Sequence, residues 1–278
     1  MQVLVASDEP SKAGGKWRNP RLQTMRVADS LAAELRGLIL RNVYAEGSSL
    51  PNQNDLAAEY GVSFPSVREA LRILETEGLV TVRRGNVGGA EIRRPNADSA
   101  AYALGLALEA ERVRLRDLAH ALQVFEPACA AMCASREDRL TTVVPLLHAN
   151  LAETELHLED ETAFTVKARE FHSLVVTSTG SATVGLLVRS LVALWTAQEV
   201  AWAESLAQRG EYFDIHGRGN VIEAHTAVCS KIESGDAAGA ERLARRHITL
   251  TQKLFLERFN DEIVNSSIIK SGRGSRSS

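Results

Sequence analysis

The chain has 278 residues, 45% of them hydrophobic and 24% charged, with a formal net charge of -3 at pH 7. That balance fits a globular protein of one large domain or two modest ones. No apolar run approaches the ~18–20 residues that span a bilayer, and the opening MQVLVAS lacks the basic start and long apolar stretch of a secretory signal. A cytoplasmic location with no membrane association is therefore expected. Net charge does not advertise nucleic-acid binding either: residues 1–96 carry +2 and the remainder -5. Any case for DNA rests on the local placement of Arg68, Arg72, Arg83, Arg84, Arg93 and Arg94.

Residues 1–20, rich in Ser, Gly, Lys and Pro, read as a disordered tail. Thr24 to Asn42 then reads as a helix, with Val27, Leu31, Leu35, Leu38 and Ile39 along one side. Asn52 can cap the next helix, with Asp55 in its first turn and Leu56, Ala57 and Tyr60 on its apolar face. Gly61 is placed for a left-handed C-cap and Val62 for a core plug at the turn. Ser63 or Ser66 can cap the following helix, Ser66 and Glu69 having capping-box spacing, and Pro65 suits a first turn. Val67, Ala70, Leu71 and Leu74 form its apolar stripe, while Arg68 and Arg72 share another face. Gly78 ends it.

Helix, tight turn and helix is the geometry that lays a second helix in the major groove of DNA. Ser63, Phe64, Ser66, Val67 and Arg68 are then the candidates to face base edges. Leu79, Val80 and Val82 begin a β pattern, Gly85, Asn86, Gly88 and Gly89 supply a turn, and Ala90 to Ile92 return. The result is a two-stranded wing, with Arg83 and Arg84 near its tip, in reach of phosphate or a narrow minor groove. Packing alone does not require a basic hairpin there. Residues 21–95 thus read as a winged helix-turn-helix DNA-binding domain, and Pro95-Asn96 as a linker.

From Asp98 onward the pattern is helix after helix: approximately 98–110, 114–135, 137–159, 161–177, 181–208, 212–234 and 236–262, with breaks at Gly180, Gly210 and Gly235-Asp236. The fold class is mainly α, a small winged helix-turn-helix domain followed by an all-α helical bundle. Residues 98–262 form that second domain, and residues 266–278 read as a disordered tail. Cys129 and Cys133 share a helix face and Cys229 lies elsewhere. Their spacing is neither a zinc knuckle nor a redox pair, so buried inert thiols are expected.

Three histidines stand out in the helical part. His225 and His247 are 22 residues apart across the turn at Gly235-Asp236, so an antiparallel hairpin can bring them together, and His172 can face them. Three imidazoles on facing helices suit zinc, nickel or a similar cation. Ordinary core or surface histidines satisfy the spacing equally well. Trp195 and Trp202, seven apart, can line a pocket or simply pack.

The N-terminal part resembles the GntR family of bacterial winged-helix transcription regulators. The resemblance rests on Leu50-Pro51, Asp55-Leu56-Ala57, Gly61-Val62-Ser63, Val67-Arg68-Glu69-Ala70-Leu71, Leu74, Glu77-Gly78-Leu79-Val80 and Arg84-Gly85. It implies a DNA contact at Arg68 and wing contacts at Arg84 and Gly85. Asn54 and Phe64 stand where the family commonly has Arg, which removes charge from the DNA face. Asn54 can still bond a base or phosphate, and Phe64 can touch a thymine methyl. The candidate DNA-binding set is Asn54, Ser63, Phe64, Ser66, Arg68, Arg72, Arg83, Arg84 and Gly85.

Residues 98–260 resemble the ligand-binding domain of the FadR subfamily, the FCD type, through Phe171-His172-Leu174, Glu223-x-His225, Gly235-Asp236-x-x-x-Ala240 and His247. The resemblance implies a divalent metal, zinc- or nickel-like, on His172, His225 and His247, which helps to hold a small carboxylate. It also implies an Asp four residues before His172 and an Arg four before Glu126. This chain has Ala168 and Leu122 there, so two polar pocket positions are apolar. Leu122, Ala168, Trp195 and Trp202 are the candidate effector-pocket residues. The implied partners are a double-stranded DNA operator, a second copy of the chain and a small effector, either a carboxylate or an acyl or otherwise apolar ligand. The expected function is a homodimeric transcriptional regulator, a repressor, on a palindromic operator. A metal-dependent enzyme using the three histidines is the alternative, and the absence of HExxH, P-loop, GxSxG and GxGxxG motifs speaks against it.

Overall fold

The structure is a computed structural model that describes residues 27–82, 89–207 and 215–271. The chain divides between Arg94 and Pro95 into two compact units.

The first unit contains α1 (Val27–Leu40), α2 (Gln53–Tyr60), α3 (Phe64–Thr76), β1 (Val80–Val82) and β2 (Ala90–Ile92). The Asn52 side chain caps α2 by accepting from the backbone N–H groups of Asn54 and Asp55 at 2.9 and 3.0 Å. Gly61 ends α2 with φ 62°, a conformation that costs an L side chain but not glycine. Of the two serines able to cap α3, Ser63 does so, accepting from the N–H of Ser66. Leu31, Leu35 and Ile39 of α1 meet Leu56 of α2 and Val67, Ala70, Leu71 and Leu74 of α3 in one core, which the wing closes with Val80, Ala90 and Ile92. Arg36 on α1 donates to both carboxylate oxygens of Glu77, just past α3, at 2.8 and 2.5 Å.

β1 and β2 pair antiparallel, with Val80 opposite Ile92 and Val82 opposite Ala90. Residues 47–50 run along the free edge of β2, joined by Leu50 N–H to Ala90 O and Ile92 N–H to Ser48 O. The wing tip, including Arg83, Arg84 and Gly85, lies outside the described residues.

The second unit is all helix: α4 (Ala97–Ala110), α5 (Leu115–Ser135), α6 (Arg139–Thr142), α7 (Val144–Leu156), α8 (Glu161–Thr177), α9 (Ala182–Ala207), α10 (Ile215–Glu233), α11 (Ala237–Phe259) and α12 (Ser267–Ser271). Two helices differ from the sequence expectation. The span 137–159 is two helices rather than one, because Pro145 stands in the first turn of α7 and has no N–H to continue a helix from α6. Ser267–Ser271 is helical where a tail is expected: Val264 and Ile269 are buried against α4, α5 and α9, and Ser266 donates to Glu109. Among the described residues no helix is long and apolar enough to cross a membrane.

α11 lies along α5, and a proline explains one contact that holds it there. Pro127, inside α5, lacks the N–H that would bond the carbonyl of Gln123. Arg245 of α11 donates to that carbonyl at 2.7 Å. α10 and α11 form an antiparallel hairpin whose turn uses Gly235 at φ 74°, and Asp236 caps α11 by accepting from the N–H of Gly239.

Candidate functional site

On the first unit the exposed face of α3 carries Phe64 and Arg68, with Ser63 at the cap. Ser66 is half-buried and its hydroxyl meets that of Ser63 at 2.9 Å. Arg72 is exposed and lies 3.5 Å from Glu69. Asn54 is exposed in the first turn of α2. Two expectations need correction. Val67 is fully buried in the core and cannot face a base edge. Arg94 is drawn into the fold, its Nη2 donating to the carbonyl of Ile39 at 3.3 Å and to the side chain of Asn42 at the end of α1. Arg93 is half engaged, 2.9 Å from Glu91.

In the second unit α8, α10 and α11 bring His172, His225 and His247 together, with all three ligand nitrogens within 4.8 Å of one another. The Nε2 of His247 is 3.0 Å from that of His225 and 3.4 Å from that of His172. Phe171 stacks on His225 with ring centroids 4.1 Å apart and fixes that ring. Behind His172, its Nδ1 hydrogen-bonds the carboxylate of Glu126 on α5. The Nδ1–H of His172 is thereby committed, and its Nε2 faces the other two rings.

Electrostatics follow the packing. Burial, reinforced by His172 and His247, pushes His225 well below the ordinary histidine value. Burial and His172 push His247 down to about 3. Burial also opposes charge on His172, but the Glu126 carboxylate overcomes it and holds that imidazole above its ordinary value. Two neutral rings and one carboxylate-backed ring, all aiming Nε2 at one point, form a donor set that fits a zinc- or nickel-like cation. The carboxylate stands behind a ligand, not among them.

The histidines form part of the wall of a cavity of about 850 Å³. Leu122, Ala168 and Trp195 line it, as do Phe164, Val192 and Phe255. Ala168 brings no carboxylate, and Glu170 is no substitute, since it lies beside Lys167 at 3.3 Å on an exposed face. The Trp202 side chain lies outside the described part of α9. Arg169 donates to Glu199 at 3.1 Å in the same wall. Burial raises the Glu199 carboxyl, with Arg169 and Trp195 acting against that rise.

Comparison with known proteins agrees with both units. The family profile described as "Bacterial regulatory proteins, gntR family" matches residues 27–87, and the profile "FCD domain" matches residues 117–250. The chain is a GntR-family regulator of the FCD type. As such it is a non-catalytic DNA-binding transcription regulator. Relatives include the "HTH-type transcriptional repressor NanR" of Salmonella newport, 26% identical over 247 residues that make up 87% of this chain and 90% of that one. NanR of Salmonella typhimurium is similar at 26% identity, covering 87% and 89%. Among solved structures, Streptococcus agalactiae GntR superposes with a TM-score of 0.61 at 22% identity, over 82% of this chain and 99% of that one, which supports the fold.

In this GntR/FCD regulator four cavity groups escape a reading of the sequence. Glu126 is a lone acid on a helix stripe otherwise made of Leu122, Cys129 and Cys133, all buried. A carboxylate on an apolar stripe is a legible signal of a buried partner. Glu199, Arg218 and Gln252 leave no comparable mark, because their surroundings come from helices distant in sequence.

Proposed function

We propose that the chain is a homodimeric repressor that binds a palindromic operator and releases it when a small acid occupies the cavity beside the three histidines. The convergence of three Nε2 atoms on the wall of a roomy cavity carries this reading. One α3 reads a half-site, so two copies are needed for two half-sites one DNA turn apart. Ser63, Phe64, Ser66, Arg68 and Arg72 would face the DNA from α3, Asn54 from α2, and Arg83, Arg84 and Gly85 from the wing. The relatives named as repressors support the direction of control.

His172, His225 and His247 would hold the cation, and Glu126 would keep His172 in the ligating tautomer. When bound, the cation supplies a Lewis-acidic centre whose open positions suit a carboxylate. Leu122 and Ala168 leave that end of the cavity apolar, so Trp195, Phe164 and Val192 exclude water from around the acid. Occupancy favours one arrangement of the dimer, and operator affinity changes by the coupling free energy.

Elemental analysis of the purified chain beside His172→Ala, and gel-shift titration on a DNA fragment selected by the full chain from a random library, test this together. About one zinc-like ion per chain, lost in the variant, and weaker DNA binding with an added small carboxylic acid are the expected results. A metal-free protein with unaltered DNA affinity in all acids would overturn the reading.

A further inference from the structure

Most charged groups in the cavity wall have a partner or face water. Glu126 is taken by His172, Glu199 by Arg169, and Arg246 and Glu223 are exposed. Arg218 is different. It lines the cavity, yet its Nε and Nη1 are buried with no hydrogen-bond partner among the described residues. Gln252 shows the same feature from α11. Its Oε1 accepts from Gln123 at 2.8 Å, it is 2% exposed, and its Nε2 is buried with no partner among the described residues. Buried donors left unpaired are costly and call for an acceptor.

Their placement along the hairpin gives the acceptor a position. Arg218 precedes His225 by seven residues, which returns it to the same face of α10 two turns away, about 10 Å along the axis. Gln252 follows His247 by five residues on the antiparallel α11, about 7 Å along the axis in the same direction. Both unpaired donors therefore lie on one side of the histidines, along one cavity. A guanidinium keeps its charge at any accessible pH, and the acceptor it favours is anionic.

We infer that the effector is an elongated organic acid with two anionic ends, one at the histidines and the other on Arg218, with Gln252 donating to the second end. The inference rests on the cavity reading above and sharpens it. Leu122 offers no charge on α5, so the second anion is held from α10. A fatty or other apolar acid leaves Arg218 and Gln252 unpaired and is selected against.

The test is calorimetric titration of the nickel-loaded full chain with succinate, adipate and suberate, each beside its mono-acid butyrate, hexanoate or octanoate. The longer diacids are expected to bind about tenfold or more tightly than their mono-acids, and succinate, too short to span, is expected to show little excess. Arg218→Met should abolish the diacid excess and leave octanoate binding unchanged. Its melting temperature without ligand should be equal or higher, because no hydrogen bond to a described residue is lost; a structural arginine would lower it. A diacid excess that survives Arg218→Met overturns the inference. So does equal binding of both acid types in the unaltered chain; if His247→Ala then abolishes that binding, the cavity reading stands without it. If no acid binds, or if binding ignores His247→Ala, the cavity reading itself fails and takes this one with it.

Discussion

Glu126 on α5 backs His172 on α8, so that the His172 ring turns its Nε2 toward His247. The relationship crosses 46 residues of sequence and places the carboxylate one shell out from the point where the three nitrogens meet. Glu126→Gln keeps an acceptor for the Nδ1–H but removes the charge. Nickel or zinc affinity, read by competition with a chromophoric chelator, should fall by roughly 10–100-fold. Unchanged affinity would show that the charge on Glu126 plays no part.

The same cluster sets a pH dependence for the metal-free chain. His225 and His247 have folded-state values below the ordinary 6.5, His247 at about 3. The unfolded chain takes up those protons first, so stability is full above 6.5 and is lost as pH falls from there toward 3. His172 is raised and works the other way: its contribution is present below 6.5 and is lost as pH rises through its folded value. Two groups oppose one, so melting temperature should fall between pH 7 and pH 5. His247→Gln should flatten that slope, and a slope unaltered in the variant would refute the assignment.

Arg68 is exposed on α3. Arg68→Ala should cost about 1–3 kcal/mol of operator binding in a gel-shift titration. Arg94→Ala should act elsewhere, by about 1 kcal/mol on thermal stability, because it unties the end of α1. Equal operator loss from both substitutions would contradict the division of roles.

Asn52 holds the first turn of α2 by accepting two backbone N–H groups. Asn52→Ala should lower stability by about 1 kcal/mol in urea unfolding, and Asn52→Ser by much less. A loss of the same size in both variants would mean that the amide acts through something other than capping.

Local chemistry was readable where short-range rules decide. The α2–α3 turn follows from Asn52, Gly61 and a serine cap that the sequence leaves open between Ser63 and Ser66, and the meeting of His225 with His247 follows from a 22-residue spacing across a glycine turn. The sequence does not place Val67, because a residue near the start of α3 can point either way until α1 packs against it. The break at Val143 was written in Pro145, yet the apolar period on both sides hid it. Arg94 is grouped with the DNA-facing arginines in sequence, which does not show that the carbonyl end of α1 comes back to meet it. The composition of Ser267–Ser271 suggests a tail, although Val264 and Ile269 supply the apolar anchors that dock it.

All three cysteines are sealed in the second unit, Cys129, Cys133 and Cys229 being no more than 1% exposed. Burial lifts the first two thiols to about 12 and the third to about 11. Cys133 also donates to the carbonyl of Val175. Thiolates are the reactive form, so the folded chain offers maleimides and methanethiosulfonates almost nothing to attack. A single cysteine placed at exposed Thr76 would therefore take a spin label by itself, with no need to strip the native thiols. In a dimer, the distance between the two labels would then follow the DNA-reading helices as acid is added.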